Sequence, residues 1–215
     1  MIYVGIDPSY SRTGIAYLDT ESKEIVFNIA SPPGRNEDYY SAVSRAAYIS
    51  YSILSSLSKC QDIKMIFEEP LVTSQMSSRL GILSGVLATT FLLIPSIIEI
   101  YTIGPNAVAS MNKAIDGAHL IEKKQRSLSV VSQWLEIFEE FGFTITITPT
   151  AFTKKGLPKK RNLTHDEAEA LLVLIQLLKK ENIFSKELWF ELTKIHKGLL
   201  KNYQVNPLKL LKEIN

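Results

Sequence analysis

Three short β-like runs open the chain at residues 2–6, 14–18 and 25–29, separated only by the turn-rich segments 8–13 and 19–23. Gaps this short admit antiparallel hairpins and exclude parallel crossovers, which need a dozen or more residues. The chain must therefore begin as a meander. Beyond residue 30, helix and strand alternate. A helix is predicted over 37–58 from Val43, Ala46, Ala47, Ile49, Ile53, Leu54 and Leu57, a strand over 64–68 stopped by Pro70, a helix over 77–94 and a strand over 99–103. A meander continued by alternating helix and strand predicts an α/β fold, a mixed sheet flanked by helices.

A long amphipathic helix is predicted over about 118–141. Residues 143–148 alternate apolar and polar with β-branched side chains, as an exposed sixth strand would. The segment Lys154-Lys155-Gly156-Leu157-Pro158-Lys159-Lys160-Arg161 reads as a basic loop, 164–180 as a helix, and 181–215 as a helical extension. Two units are expected, 1–180 with a basic insertion at about 142–161, and the extension 181–215.

The 215 residues are 46% hydrophobic and 21% charged, enough for one core. A net charge of +2 says little about a polyanionic partner, because a global balance hides local patches. The single cysteine, Cys60, excludes an internal disulfide and a multi-cysteine zinc site. The apolar stretch 81–100 is broken by Gly85, Thr89, Thr90, Pro95 and Ser96, so it reads as a buried helix running into a buried strand, not a membrane span. No basic leader or cleavage signature precedes the first strand. The expectation is a soluble intracellular protein, in cytoplasm, nucleoid or organelle, with a viral source also compatible.

The chemistry lies in acids at element ends. Asp7 closes the first strand before Pro8, and Glu68-Glu69 close the fourth before Pro70. Side chains on a strand alternate faces, so only one of Glu68 and Glu69 can share the face of Asp7. Asp166 and Glu169, three apart at a helix start, share one helix face. Singly, each has an ordinary explanation: Thr164 is a candidate N-cap, and acids in a first turn favour the helix dipole. Together they imply more. Two unit charges about 4 Å apart repel by roughly 4 kcal/mol at an effective dielectric near 20. Converging carboxylates therefore demand protonation or a counter-ion, and an all-oxygen set selects Mg²⁺ or Mn²⁺ over zinc. A pair of such ions suits phosphodiester hydrolysis.

At these residues the sequence resembles the RuvC family of Holliday junction resolvases. Gly5-Ile6-Asp7-Pro8-Ser9 with Thr13-Gly14 is similar to the family's first strand and catalytic aspartate, and Ile66-Phe67-Glu68-Glu69 to its second acidic strand, Glu68 aligning best and Glu69 standing as the alternate. Leu80-Gly81-Ile82-Leu83-Ser84-Gly85-Val86 resembles the family's next helix. Glu122-Lys123-Lys124-Gln125 resembles a segment whose lysine lies near DNA, and His165-Asp166-Glu167-Ala168-Glu169-Ala170 the closing pair of acids. The match covers roughly 1–130 and 163–178. Glu169 stands where the family usually has Asp, one methylene longer. The resemblance implies an RNase H-like sheet of five strands, and acids Asp7, Glu68, Asp166 and Glu169 as catalytic residues and ligands of two Mg²⁺ or Mn²⁺ ions. It further implies DNA contact by Lys123 and a homodimer making paired nicks in a four-way junction, a two-fold assembly on a two-fold substrate.

The basic loop supplies the other candidates for DNA contact: Lys154, Lys155, Lys159, Lys160 and Arg161, whose alternative is a solvated loop. His165 is a candidate for positioning a metal or water, with capping as its alternative. Tyr10 and Arg12 are candidates near a scissile phosphate, with hairpin packing as theirs. Tyr39-Tyr40 and Tyr48-Tyr51 are weaker candidates for base stacking. Asp116 lies in an expected turn, and His196 with Trp189-Phe190 is expected to pack. Two rival functions stand beside endonuclease activity. One is a junction-binding protein of the same fold that does not cut. The other is an actin-like ATPase-type kinase, which needs clustered glycines and a second sheet; the chain's ten glycines are scattered.

Overall fold

The meander forms as expected: β1 (Ile2–Asp7), β2 (Thr13–Asp19) and β3 (Glu24–Ala30) pair antiparallel, with Asp7 opposite Gly14. The computed structural model describes residues 1–33, 39–69, 77–104, 107 and 120–208, without the side chains of 39–41, 77, 78, 120–124 and 200. Helix α1 (Tyr39–Ser56) leads to β4 (Ile63–Glu68), which lies parallel to β1; α2 (Ser77–Leu92) leads to β5 (Ile97–Ile103), parallel to β4. Three antiparallel strands continued by two parallel ones, with helices on both faces, make an RNase H-like fold.

The sheet has seven strands, not the expected five, in the order β6-β3-β2-β1-β4-β5-β7. The two additions are short edge strands. β6 (Thr144–Ile147), the sixth strand read from alternation, lies parallel to β3 after helix α3 (Leu120–Glu140). β7 (Val205–Pro207) pairs antiparallel with β5. It falls where helix was expected. The extension contains helix α5 (Lys186–Ile195) and a 3₁₀ turn (Lys197–Leu200), but ends on a strand. Three residues closed by a proline carry no periodicity to read, and the free edge of β5 supplies the pairing.

Strand alternation divides the core. Ile2, Val4 and Ile6 face α1 and α2, among Ile49, Ile53, Leu83 and Leu87. Tyr3, Ala16 and Leu18 face the other way, against Leu171 and Leu174 of helix α4 (His165–Lys180), with Trp134 and Phe138 of α3 closing the layer. α4 is buried almost all round, as a helix reading Leu-Leu-Val-Leu-Ile must be. Phe184, Leu188 and Leu192 join the same core, and the Trp134 indole donates to the Leu192 carbonyl at 3.1 Å. No helix among the described residues is long and apolar enough to cross a membrane.

Candidate active site

Two glycines set the site. A Cβ built on Gly14 would stand 2.0 Å from the carbonyl oxygen of Asp166, and one on Gly5 would stand 2.5 Å from that of Ala170. These absences let the backbone of α4 rest directly on β1 and β2, closer than any other residue type permits. Because Asp7 is the register partner of Gly14, the start of α4 lies beside Asp7.

Glu68 ends the parallel neighbour of β1, so the two acidic strand ends lie side by side. Parity places Glu68 on the face of Ile66 and Tyr3, toward α4. Glu69 points with Phe67 to the opposite face, where the Thr102 hydroxyl donates to its Oε1. The geometry thus groups Glu68, and not Glu69, with Asp7.

Helix α4 begins with a capping box. Thr164 Oγ1 accepts from the Glu167 amide at 3.5 Å, and the Thr164 amide donates to Glu167 Oε2 at 3.0 Å. The cap orients the first turn so that Asp166 and Glu169 approach Asp7. Burial raises the Asp7 carboxyl well above the usual range, and the charges of Glu169, Glu68 and Asp166 push it further. A hydrogen bond between Asp7 and Glu169 adds to this, and it requires a proton on one of the two. Glu68 is pushed up to about 7 by burial and by Glu169. The four expected acids are brought together, and at least two resist ionisation.

Asp166 is held differently. Arg12 Nε donates to its Oδ2, and His165 Nε2 lies 2.8 Å from its Oδ1. The sequence marks Arg12 and His165 for other roles; in the fold both clamp a site acid. Tyr10 packs in the core beneath α1, with its hydroxyl unpartnered among the described residues. Lys123 lies in α3, but its side chain is outside the described residues, as are those of Tyr39 and Tyr40 and the whole of Asp116.

In the basic segment, Lys154, Lys155, Lys159 and Lys160 are exposed. Arg161 folds inward. Its guanidinium meets both oxygens of the fully buried Glu167 at 2.6 and 2.7 Å, and its Nε donates to the Thr148 carbonyl at 2.8 Å. Sequence reading misses this ion pair. A glutamate three residues after a threonine signals the capping box, but nothing local signals the arginine that neutralises it. Gly81 and Gly85, in the motif after β4, have open space where side chains would stand, so they serve no close packing among the described residues.

The donor set suits a hard divalent cation: it offers carboxylate oxygens only, and its electrostatics favour added positive charge. Among the described residues no three acidic, histidine or cysteine side chains already stand as a metal-holding group, and Asp166 has both oxygens occupied by Arg12 and His165. The cluster is a concentration of negative charge rather than a finished cage.

No protein-family model and no curated protein sequence matches the chain. Among solved structures, Thermus thermophilus RuvC in complex with a Holliday junction substrate is similar at 13% identity, covering 97% of this chain and 99% of that one, with a TM-score of 0.49. A second Thermus thermophilus RuvC structure is similar at 16% identity over 85% of this chain and 98% of its own, also at 0.49. The human cytomegalovirus terminase nuclease domain, soaked with Mn, is similar at 11% identity over 94% of this chain and 86% of its own, at 0.38. Superpositions this loose say nothing about substrate or metal.

Proposed function

We propose that this chain is a divalent-metal-dependent DNA endonuclease that cuts branched DNA, four-way junctions foremost, working as a homodimer that makes paired nicks. The observation that carries the reading is the convergence of Asp7, Glu68, Asp166 and Glu169 at one corner, with Asp7 and Glu68 held above their usual ionisation range. A fold gains no stability from gathering acids that raise one another, and strongly shifted groups concentrate where function needs them. The acidic motifs resemble those of the RuvC family in their order along the chain, and that resemblance implies phosphodiester hydrolysis.

In this reading Asp7, Glu68, Asp166 and Glu169 hold two Mg²⁺ or Mn²⁺ ions, which when bound supply Lewis acidity and a water that ionises near neutral pH. Asp7 and Glu68 must give up their protons to do so. Asp166, whose oxygens meet Arg12 and His165, would serve as a ligand only with those contacts opened, and Arg12 would then be available to a phosphate. Lys154, Lys155, Lys159 and Lys160 hold the DNA by its phosphates, giving affinity that falls with salt.

The test is a labelled four-way junction incubated with the protein in Mg²⁺ and in EDTA. Paired nicks are expected in Mg²⁺ only. Asp7→Asn is expected to lower cleavage by at least roughly a thousandfold while leaving binding largely intact. Tight binding without cleavage in any divalent ion would favour the non-cutting junction binder, and near wild-type cleavage by Asp7→Asn would remove the assignment.

A further inference from the structure

The basic segment is not a formless loop. Phe152 and Pro158 form an antiparallel bridge, the Thr153 amide donates to the Leu157 carbonyl at 2.8 Å, and the Lys159 amide donates to the Ala151 carbonyl at 2.9 Å. Gly156 takes φ +75°, the left-handed conformation that closes the turn, and the Thr153 hydroxyl accepts from the Leu157 amide at 3.1 Å. The product is a small hairpin over 151–159 with a defined backbone.

Its side chains combine two chemistries. Phe152 is 61% exposed and Leu157 62% exposed, both on a turn that also carries Lys154, Lys155 and Lys159. Neither apolar group contributes to the core. By strand alternation Phe152 stands with its bridge partner Pro158 on one face of the hairpin and Leu157 on the other, so Phe152 is an exposed aromatic ring on a cationic turn.

The root of the hairpin is fastened to the acidic site. Arg161 ties it to Glu167, the residue between Asp166 and Ala168 in the first turn of α4. Pro149, Thr150 and Arg161 also form one wall of a cleft of about 440 Å³, whose other lining includes Arg12 and Tyr48. The cleft thus joins the root of the hairpin to Arg12, the residue that meets Asp166.

We infer that the hairpin is a base-stacking element: Phe152 packs against an unpaired base while the lysines hold the flanking phosphates, so the enzyme prefers DNA with unstacked bases over plain duplex. Every base has a π-face, and an aromatic side chain binds it without regard to sequence. In a continuous duplex those faces are covered by neighbouring pairs; at a branch or a single-stranded gap they are open. This inference rests on the nuclease reading and adds the structural feature of the substrate. An anionic membrane is the other surface that suits lysines with an apolar tip. DNA is favoured because the hairpin is anchored to the helix that carries the acids.

The experiment uses the full chain carrying Asp7→Asn, so that DNA stays intact. Binding is measured by anisotropy to a four-way junction carrying 2-aminopurine at the branch and to a duplex of matched sequence. Phe152→Ala is expected to weaken junction binding about tenfold and leave duplex binding unchanged. It is also expected to remove the 2-aminopurine fluorescence change, and Phe152→Trp is expected to restore both. Lys159→Ala with Lys160→Ala is expected to weaken both DNAs alike and flatten the salt dependence. An equal affinity of Phe152→Ala for the junction overturns the inference alone, as does a loss confined to vesicles of phosphatidylcholine and phosphatidylserine in equal parts, which would assign the hairpin to membranes. Failure of the parent chain to bind any DNA is a separate result that removes the nuclease reading with it.

Discussion

At the C-terminal end of α4, Glu181 meets Lys64 at 2.7 Å and Lys180 at 3.2 Å, and Lys64 reaches on to Glu99 at 3.1 Å. At the N-terminal end, Asp166 and Glu169 meet Asp7 and Glu68. Both ends join the same helix to the sheet, with β4 common to the two, and both gather acids. At the first end every acid has a cation. Burial would raise Glu181, but hydrogen bonds from Lys64 and Lys180 outweigh it and hold that carboxyl below its usual range. At the second, burial and like charge act together and raise Asp7 and Glu68. Within the first turn of α4, Glu167 is matched by Arg161 and Asp166 meets Arg12 and His165, so the raised acids of the corner are Asp7 and Glu68. Glu99, Glu181 and Glu167 are each neutralised by a lysine or arginine. At the acidic corner Asp7 and Glu68 keep a surplus of like charge, which is the feature that the proposed metal binding would use.

The seam that brings the helix to the acids gives the largest expected effect. Gly14→Ala forces a methyl into the Asp166 carbonyl, at backbone that cannot rotate away. Overpacking of this kind costs about 1–3 kcal/mol and sometimes more. The expected outcome in chemical denaturation is a loss at the upper end of that range, with cleavage lost in the fraction that still folds. Retained stability and activity would show that α4 does not need to lie so close.

Opposite signs at the two ends are the sharper prediction. Glu68 holds its proton to about 7 when folded, against an ordinary value of 4.5. The folded state then binds more protons than the unfolded one between those values, so metal-free stability falls as pH rises through that window. Removing the charge should help: Glu68→Gln is expected to stabilise the metal-free protein at pH 8, by up to roughly 3 kcal/mol, and to flatten that slope. Glu181, with its folded value lowered, contributes stability that is present above its unfolded value and lost as pH falls. Glu181→Gln is therefore expected to cost about 1–2 kcal/mol at the same pH. Denaturant melts of both variants in EDTA, across pH, read the two signs directly. The same sign for both would erase the distinction between the ends.

How much of this is legible in the sequence depends on the range of each signal. The meander and the alternating elements are readable because turn residues and hydrophobic period are local, and β1 through α4 fall within a few residues of their expected bounds. Strand ends and helix spacing mark Asp7, Glu68 with Glu69, and the pair Asp166 and Glu169 as candidates, and the family resemblance groups them into one set; strand parity together with Thr102 selects Glu68 over Glu69. Arg161 on Glu167 and Arg12 on Asp166 are not foreseeable. An arginine's partner is chosen by the folded chain, and Arg12 meets a residue 154 positions away. β7 escapes for a related reason, since the edge of β5 creates that strand and its own residues do not. Phe152 and Leu157 are masked in the sequence by the lysines around them, which make the segment read as a solvated loop.

The central claim is that the acidic corner is built to accept divalent cations, and calorimetry tests it without reference to cleavage. Mn²⁺ is titrated into the wild-type chain and Asp7→Asn near pH 6.5, in two buffers of different ionisation enthalpy. Carboxyls that hold protons in the free protein must release them when they ligate a metal. The account predicts saturable binding to the wild-type chain with release of about one proton or more, and loss of that binding in Asp7→Asn. Equal binding by both proteins, binding with no proton release, or no saturable binding to the wild-type chain would contradict it.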